Sequence, residues 1–238
     1  MNKQARRALA AAFVLLLLFL LWQLLPKFIA SWAEEQIAKG LAGSFSAADL
    51  ITVDLSPAGL SSWTQGRLED LKIEGRGLRT KDGFPISALF FEAKLLQLDW
   101  AELWKGKVEV ISSHGARATC VLAEGELSAY LQKQIEVLKD VRIQLAAGKA
   151  TLFGTAELLG RDVKLSIAGD FSPKEGDLQF TPTDFFVADF KLPRFLLNNL
   201  SKQVNFIIPL GKLPLPLELE SVRIENGHAY LAGRGDRL

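Results

Sequence analysis

The chain has 238 residues, with 28 Lys plus Arg against 27 Asp plus Glu and a formal net charge of +1. This balance excludes a basic field for nucleic acid and an acidic interaction tail. One cysteine excludes an internal disulfide, and two histidines are too few for a histidine-rich metal site.

The amino-terminal segment sets the compartment. Lys3, Arg6 and Arg7 make residues 1–7 a basic tail, and residues 8–25 carry no charge and, Gln23 aside, no strongly polar side chain. As a helix, residues 8–25 reach about 27 Å, close to the ~30 Å hydrocarbon core of a bilayer. The expectation is one transmembrane anchor, N-terminus inside, because basic residues precede the span and are sparse after it. The remainder is exported, and export without a disulfide points to the periplasmic side of a bacterial cytoplasmic membrane. Ser31-Trp32-Ala33 has the small-residue spacing of a signal-peptidase site, so a cleaved signal peptide is the alternative. Signal h-regions usually run ~7–15 residues, and the greater length here favours the anchor.

Residues 26–45 read as a juxtamembrane amphipathic helix, with Phe28, Ile29, Trp32, Ile37 and Leu41 near one face and Glu34, Glu35 and Lys39 on the other. It either lies at the interface or belongs to the core. Trp22 and Trp32 stand where an interfacial aromatic belt would hold it.

From Asp49 the period changes to two, and residues 46–238 read as an exported β-rich domain. Ile51, Val53 and Leu55 alternate with polar residues, as do Val163, Leu165 and Ile167, the pattern of half-buried antiparallel strands. Pro57-Ala58-Gly59, Gly75-Arg76-Gly77, Asp82-Gly83, Pro173 to Gly176 and Asn226-Gly227 are expected to separate strands. Three helices interrupt them: a short one capped by Asp99, one from Glu126 to Leu138, and one from Pro193 to Lys202. The fold class is therefore α+β: an N-terminal anchor, then a curved antiparallel sheet with a few packed helices.

A weak repeat recurs three times: Leu68-Glu-Asp-Leu71-Lys72-Ile73, Leu138-Lys-Asp-Val141-Arg142-Ile143 and Leu219-Glu-Ser-Val222-Arg223-Ile224. The first two apolar residues stand three apart, which strict alternation would place on opposite faces. Either a bulge shifts the phase or the leucine belongs to the preceding element.

Catalytic and nucleotide motifs are absent: no G-x-S-x-G, no Walker loop, no G-x-G-x-x-G and no H-E-x-x-H. On an unbroken strand His114 and Cys120 share a face but lie about 20 Å apart, too far for a nucleophile and its base. No enzyme activity, cofactor or metal is expected.

The positive signal is apolar. "SALFFEAKLLQLDW" (87–100), "DFFVADF" (184–190) and "VNFIIPLGK" (204–212) are greasy on both phases. Leu213, Leu215, Leu217 and Leu219 form a row interrupted on the other phase by Pro214 and Pro216, a pattern that fits a sheet edge covered by a helix or an acyl chain. Ser112, Ala116, Ala118 and Cys120 leave room on one face, for a packed helix or for a ligand. The candidate acyl lining is Phe90, Phe185, Phe190, Phe206, Ile208, Leu213, Leu215, Leu217 and Leu219. Lys72, Arg142 and Arg223 are candidate headgroup contacts. Trp100 and Trp104, beside Lys105 and Lys107, join Trp22 and Trp32 as candidate membrane contacts, against the plainer reading of core tryptophans.

Two stretches, "SPAGLSSWTQGRLEDLKIEGRGL" (56–78) and "FIIPLGKLPLPLELESVRIENGHAYLAGRG" (206–235), together with "GELSAYLQKQ" and "VRIQLAAGKATLFGTAELLG", resemble the LmeA-type bacterial phospholipid-binding family, with AsmA-like and tubular lipid-binding folds as distant kin. The resemblance implies non-enzymatic binding of a phospholipid or similar amphiphile, in envelope lipid handling or membrane maintenance. An anchored scaffold recruiting an envelope protein partner is the alternative.

Overall fold

A computed structural model describes residues 27–57, 66–105, 107, 109–146, 148–158, 160–187, 190–192, 204, 206–208, 210 and 218–235. The expected anchor at 8–25, Trp22, the expected helix from Pro193, and Leu213, Leu215 and Leu217 lie outside the described residues. No helix among the described residues is long and apolar enough to cross a membrane.

The period-two segments form two antiparallel sheets. In the first, β1 (Phe45–Ala47) and β2 (Leu50–Pro57) lie along one edge of β3 (Arg67–Thr80). The order then runs through β4 (Pro85–Leu98) and β5 (Val110–Ala123) to the last two strands of the chain, β13 (His228–Gly235) and β12 (Glu218–Glu225). The second sheet is inserted between β5 and β12. It is a meander of β6 (Lys139–Ala146), β7 (Lys149–Leu158), β8 (Arg161–Lys174) and β9 (Asp177–Val187), edged by β10 (Phe190–Lys191) and β11 (Phe206–Ile208). Among the described residues, helices α1 (residues 27–42), α2 (Trp100–Trp104) and α3 (Glu124–Gln134) accompany the sheets.

Turn chemistry explains several joints. Asn226-Gly227 closes the β12–β13 hairpin with φ of 48° and 78°, the double left-handed geometry that a two-residue hairpin requires. Asp99 caps α2 by accepting from the Ala101 and Glu102 amides at 2.8 and 3.1 Å. The glycine pair at 75–77, expected to separate strands, instead lies inside β3, where Gly75 pairs with both Ile51 and Leu89. Gly77, at φ 59°, turns the chain so that the Asp49 carboxylate occupies the space a Cβ would need, and there the β1–β2 edge is interrupted.

All three copies of the repeat carry a bulge. Register shifts occur at Ser56/Pro57 opposite Leu68 and Asp70, between Lys139 and Arg142, and between Leu219 and Ser221. The extra residue falls in the polar pair each time, so Leu68 and Leu71, and likewise Leu138 and Val141, are both buried. Each bulge adds local twist and bends its strand.

The inner face of the first sheet carries two cores end to end. At one end Ala33, Ile37 and Leu41 of α1 pack on Val53, Leu71, Ile73, Phe91, Ala93 and Ala118. Of the small residues expected to leave room, Ala116 and Ala118 belong to this core beside the helix, with Ala93, whereas Cys120 belongs to the other core. The buried stripe of α1 follows the i, i+4 rule, Ala33–Ile37–Leu41, whereas Phe28, expected on it, is 71% exposed. Glu34 ties the helix to the sheet edge, its Oε1 accepting from the Leu55 amide at 3.1 Å. At the other end, Leu78, Ile86, Leu89, Leu122 and Leu231 meet α3 and the inner face of the second sheet, including Ile143, Leu152, Ile167 and Phe180.

Helix α3 also seals the β6 edge. Glu124 Oε2 accepts from the Leu145 amide at 2.7 Å, and Ser128 Oγ accepts from the Ile143 amide at 3.0 Å. Four helical residues rise about 6 Å and two strand residues about 6.6 Å, so the spacings match. Ser128→Ala leaves the Ile143 amide unpaired and is expected to cost about 1–2 kcal/mol, read as a lower urea midpoint at unchanged slope.

Candidate functional site

Where the two cores meet, the inner face of the first sheet is left with an apolar recess lined by Leu41, Phe45, Ile51, Ile73, Gly75, Leu78 and Leu89. It is shallow: the space open to a water-sized sphere is about 10 Å³. Its floor follows a row in register across the sheet, Ile51–Gly75–Leu89. Its shape comes from the glycine pair: a Cβ at position 75 would stand 2.7 Å from Leu78 Cδ1. The left-handed turn at Gly77 folds Leu78 back over Gly75 and leaves a hollow beside it. One wall is the last turn of α1 (Leu41) and the start of β1 (Phe45), each 7% exposed. With no polar side chain in the lining, the recess can take hydrocarbon and offers nothing to a charged substrate.

This recess was not named from the sequence, because it depends on a non-local stacking of α1, β1 and β4. The residues that were named scatter. Phe90 lies on the outer face of the first sheet, 40% exposed, with Leu89 and Phe91 turned inward. Phe185 and Ile208 are buried at 2% and 1% in the core between the sheets. Phe206 is half-buried there and stacks on Phe180 at 5.1 Å between ring centroids, while Phe190 is 78% exposed. Leu219 is half-buried against the same core.

The three basic candidates do not converge. Lys72 stands on the outer face in register between Asp54 and Glu92, an alternating-charge ladder. Arg223, four strands away or about 19 Å at the usual strand spacing, lies over the Tyr230 ring at 5.1 Å and pairs with Glu225 at 3.2 Å. Arg142 belongs to the second sheet and lies over Phe153 at 5.4 Å. The tryptophans fare differently: Trp32 of α1 and Trp104 of α2 are brought together at 4.1 Å between ring centroids, and Trp100 opens α2.

The His114 and Cys120 pair is separated by more than distance. Gly115, at φ 61°, breaks the alternation of β5, so His114 is exposed and Cys120 is buried on the inner face. Burial pushes the Cys120 thiol up to about 12. At pH 8 about one molecule in 10⁴ would carry the thiolate, the reactive form. Ellman's reagent is therefore expected to titrate no thiol in the folded chain and one after denaturation; rapid reaction in native buffer would contradict the burial.

A family model described as LmeA-like phospholipid-binding matches residues 27–234, a span that includes α1, both sheets and the recess. No curated protein and no solved structure matches the chain. The chain belongs to the LmeA-like phospholipid-binding family.

Proposed function

We propose that the chain is a membrane-anchored, non-enzymatic binder of a phospholipid or similar amphiphile, serving lipid handling or membrane maintenance in the cell envelope. The observation that carries this reading is the recess: an all-apolar hollow on a continuous apolar face, in a chain of a phospholipid-binding family. As it stands the recess has room for no more than about one water-sized sphere, about 10 Å³, so the end of an acyl tail enters only as the wall of the recess moves, with the rest of the molecule at its mouth. Burying tail surface there stabilises the complex by about 25 cal/mol per Å². The last turn of α1 and the start of β1 form the movable wall, and displacing them lengthens the site along the inner face. Half-buried Phe206 and Leu219 are the named lining residues best placed to meet hydrocarbon from the second core.

Native mass spectrometry and lipidomics on the full chain extracted in mild detergent test this reading. A phospholipid retained at about one per chain is expected. A chain that carries no lipid and takes up no fluorescent phospholipid would instead favour the anchored scaffold.

A further inference from the structure

One end of the first sheet gathers exposed apolar side chains that neither core uses. Leu95 (63% exposed) lies near the end of β4, Trp104 (71%) ends α2, Ile111 (51%) opens β5 and Phe28 (71%) opens α1. The contacts make these one tip. Asp99 bonds Glu109 across the β4–α2–β5 connection, Gln97 and Ser112 are in register, Trp104 stacks on Trp32, and Phe28 is one helical turn before Trp32. Scattered exposed apolar residues are ordinary on a surface; four large ones gathered at one end of the sheet are worth an explanation.

Leu95 adds an independent observation. Its φ is 48°, a left-handed conformation that is a genuine outlier for a bulky side chain. The β4–β5 register shifts across it, between Lys94 and Gln97, and again to either side, between Glu92 and Lys94 and between Gln97 and Leu98. The strand thus holds a strained leucine outward while Leu96 and Leu98 remain buried. Lys94 and Arg67, both exposed, flank it on β4 and β3, and Lys105 and Lys107 follow Trp104, each paired with Glu102 at 2.5 and 3.9 Å.

Residues 1–26 precede Lys27, the first described residue, and residues 8–25 have the length and apolar character of a span. If that stretch spans a bilayer, Phe28 and Trp32, just beyond it in the chain, and with them this end of the sheet, would lie at the headgroup level. We infer that this end of the domain, Phe28, Leu95, Trp104 and Ile111, docks into the interface of the phospholipid bilayer, standing the sheet upright on the membrane. The aromatic pair and the aliphatic tips enter the acyl boundary and Lys94 and Arg67 face lipid phosphates. β4 then spans about 43 Å at ~3.3 Å per residue, and its inner face joins the bilayer surface to the recess. This inference rests on the anchoring part of the proposed function and not on occupancy of the recess.

Site-directed spin labelling of the full chain in bilayer discs of equimolar phosphatidylcholine and phosphatidylglycerol tests it. Labels replace Leu95→Cys or Ile111→Cys, with Lys81→Cys at the other end of the β3–β4 hairpin as the aqueous reference; buried Cys120 stays unlabelled. Docking predicts that labels at 95 and 111 are relaxed more by oxygen than by a water-soluble nickel chelate, and that the label at 81 shows the reverse. Aqueous behaviour at all three positions in chains that do enter the discs would overturn the docking and leave the anchor standing. Failure of the chain to enter the discs would overturn anchor and docking together. Lipid retained by the detergent-extracted chain is a separate readout that neither failure changes.

Discussion

Gly169→Ala is expected to destabilise the folded chain by about 3 kcal/mol, at the upper end of what overpacking costs. Position 169 lies on β8 at a register shift opposite Pro182, where the second sheet bends. A Cβ there would stand 2.6 Å from Phe180 Cε2 and 2.8 Å from the Thr181 carbonyl oxygen. Neither neighbour yields cheaply: Phe180 is fully buried and held between Phe171 and Phe206, and the other atom belongs to the backbone. At this chain length the loss corresponds to a melting point lower by about 6–12 °C. A change under about 1 kcal/mol would mean that the aromatic cluster of the second sheet is looser than its packing indicates.

The second large effect concerns the wall of the recess. Ile37 is 1% exposed and sits at the middle of the α1 stripe against the first sheet. Ile37→Asp puts a carboxylate into an apolar layer with no cation in it, at a cost of several kcal/mol, ~3–5 by comparison with unpaired buried charges. Releasing α1 avoids that cost more cheaply than unfolding both sheets, so the expected result is local. Hydrogen exchange should show protection lost over residues 27–42 and retained over β7 to β9. Uniform loss of protection in both regions would show that α1 is not a separable element, and hence not a movable wall.

Much of the fold is visible in residue order because its determinants are local. Alternation marks the strands, Asp99 announces α2, Asn226-Gly227 announces the last hairpin, and the spacing Leu-x-x-Leu or Leu-x-x-Val announces the three bulges. The errors arise where tertiary context overrides a local signal. Gly75-Arg76-Gly77 looks like a turn, yet flanking strands on both sides hold it within β3. The helix expected from Glu126 to Leu138 runs instead from Glu124 to Gln134, beginning at Ala123 without a side-chain cap. Ile135 and Leu138 keep the apolar spacing of a helix and are buried, but they flank the turn that leads from α3 into β6.

The candidate site is less legible for the same reason. Whether Lys72, Arg142 and Arg223 share a patch depends on strand order, and β5 finds its neighbour β13 only after the whole second sheet has been inserted. The recess needs Leu41 from a helix, Phe45 from an edge strand and Leu89 from a central one. Only Gly75 carries a local hint, a glycine on the inward phase of a strand, which signals a close approach.

The account turns on an acyl tail entering the hollow between the two cores, and photo-crosslinking tests this most directly. The full chain would be equilibrated with phosphatidylglycerol carrying a diazirine near the end of one acyl chain, irradiated, digested and mapped by mass spectrometry. The account predicts labelled peptides containing residues 41–51 and 73–89, in addition to any label in the apolar segment 8–25. Label confined to residues 8–25, or found only on outer-face residues such as Phe90, would contradict it.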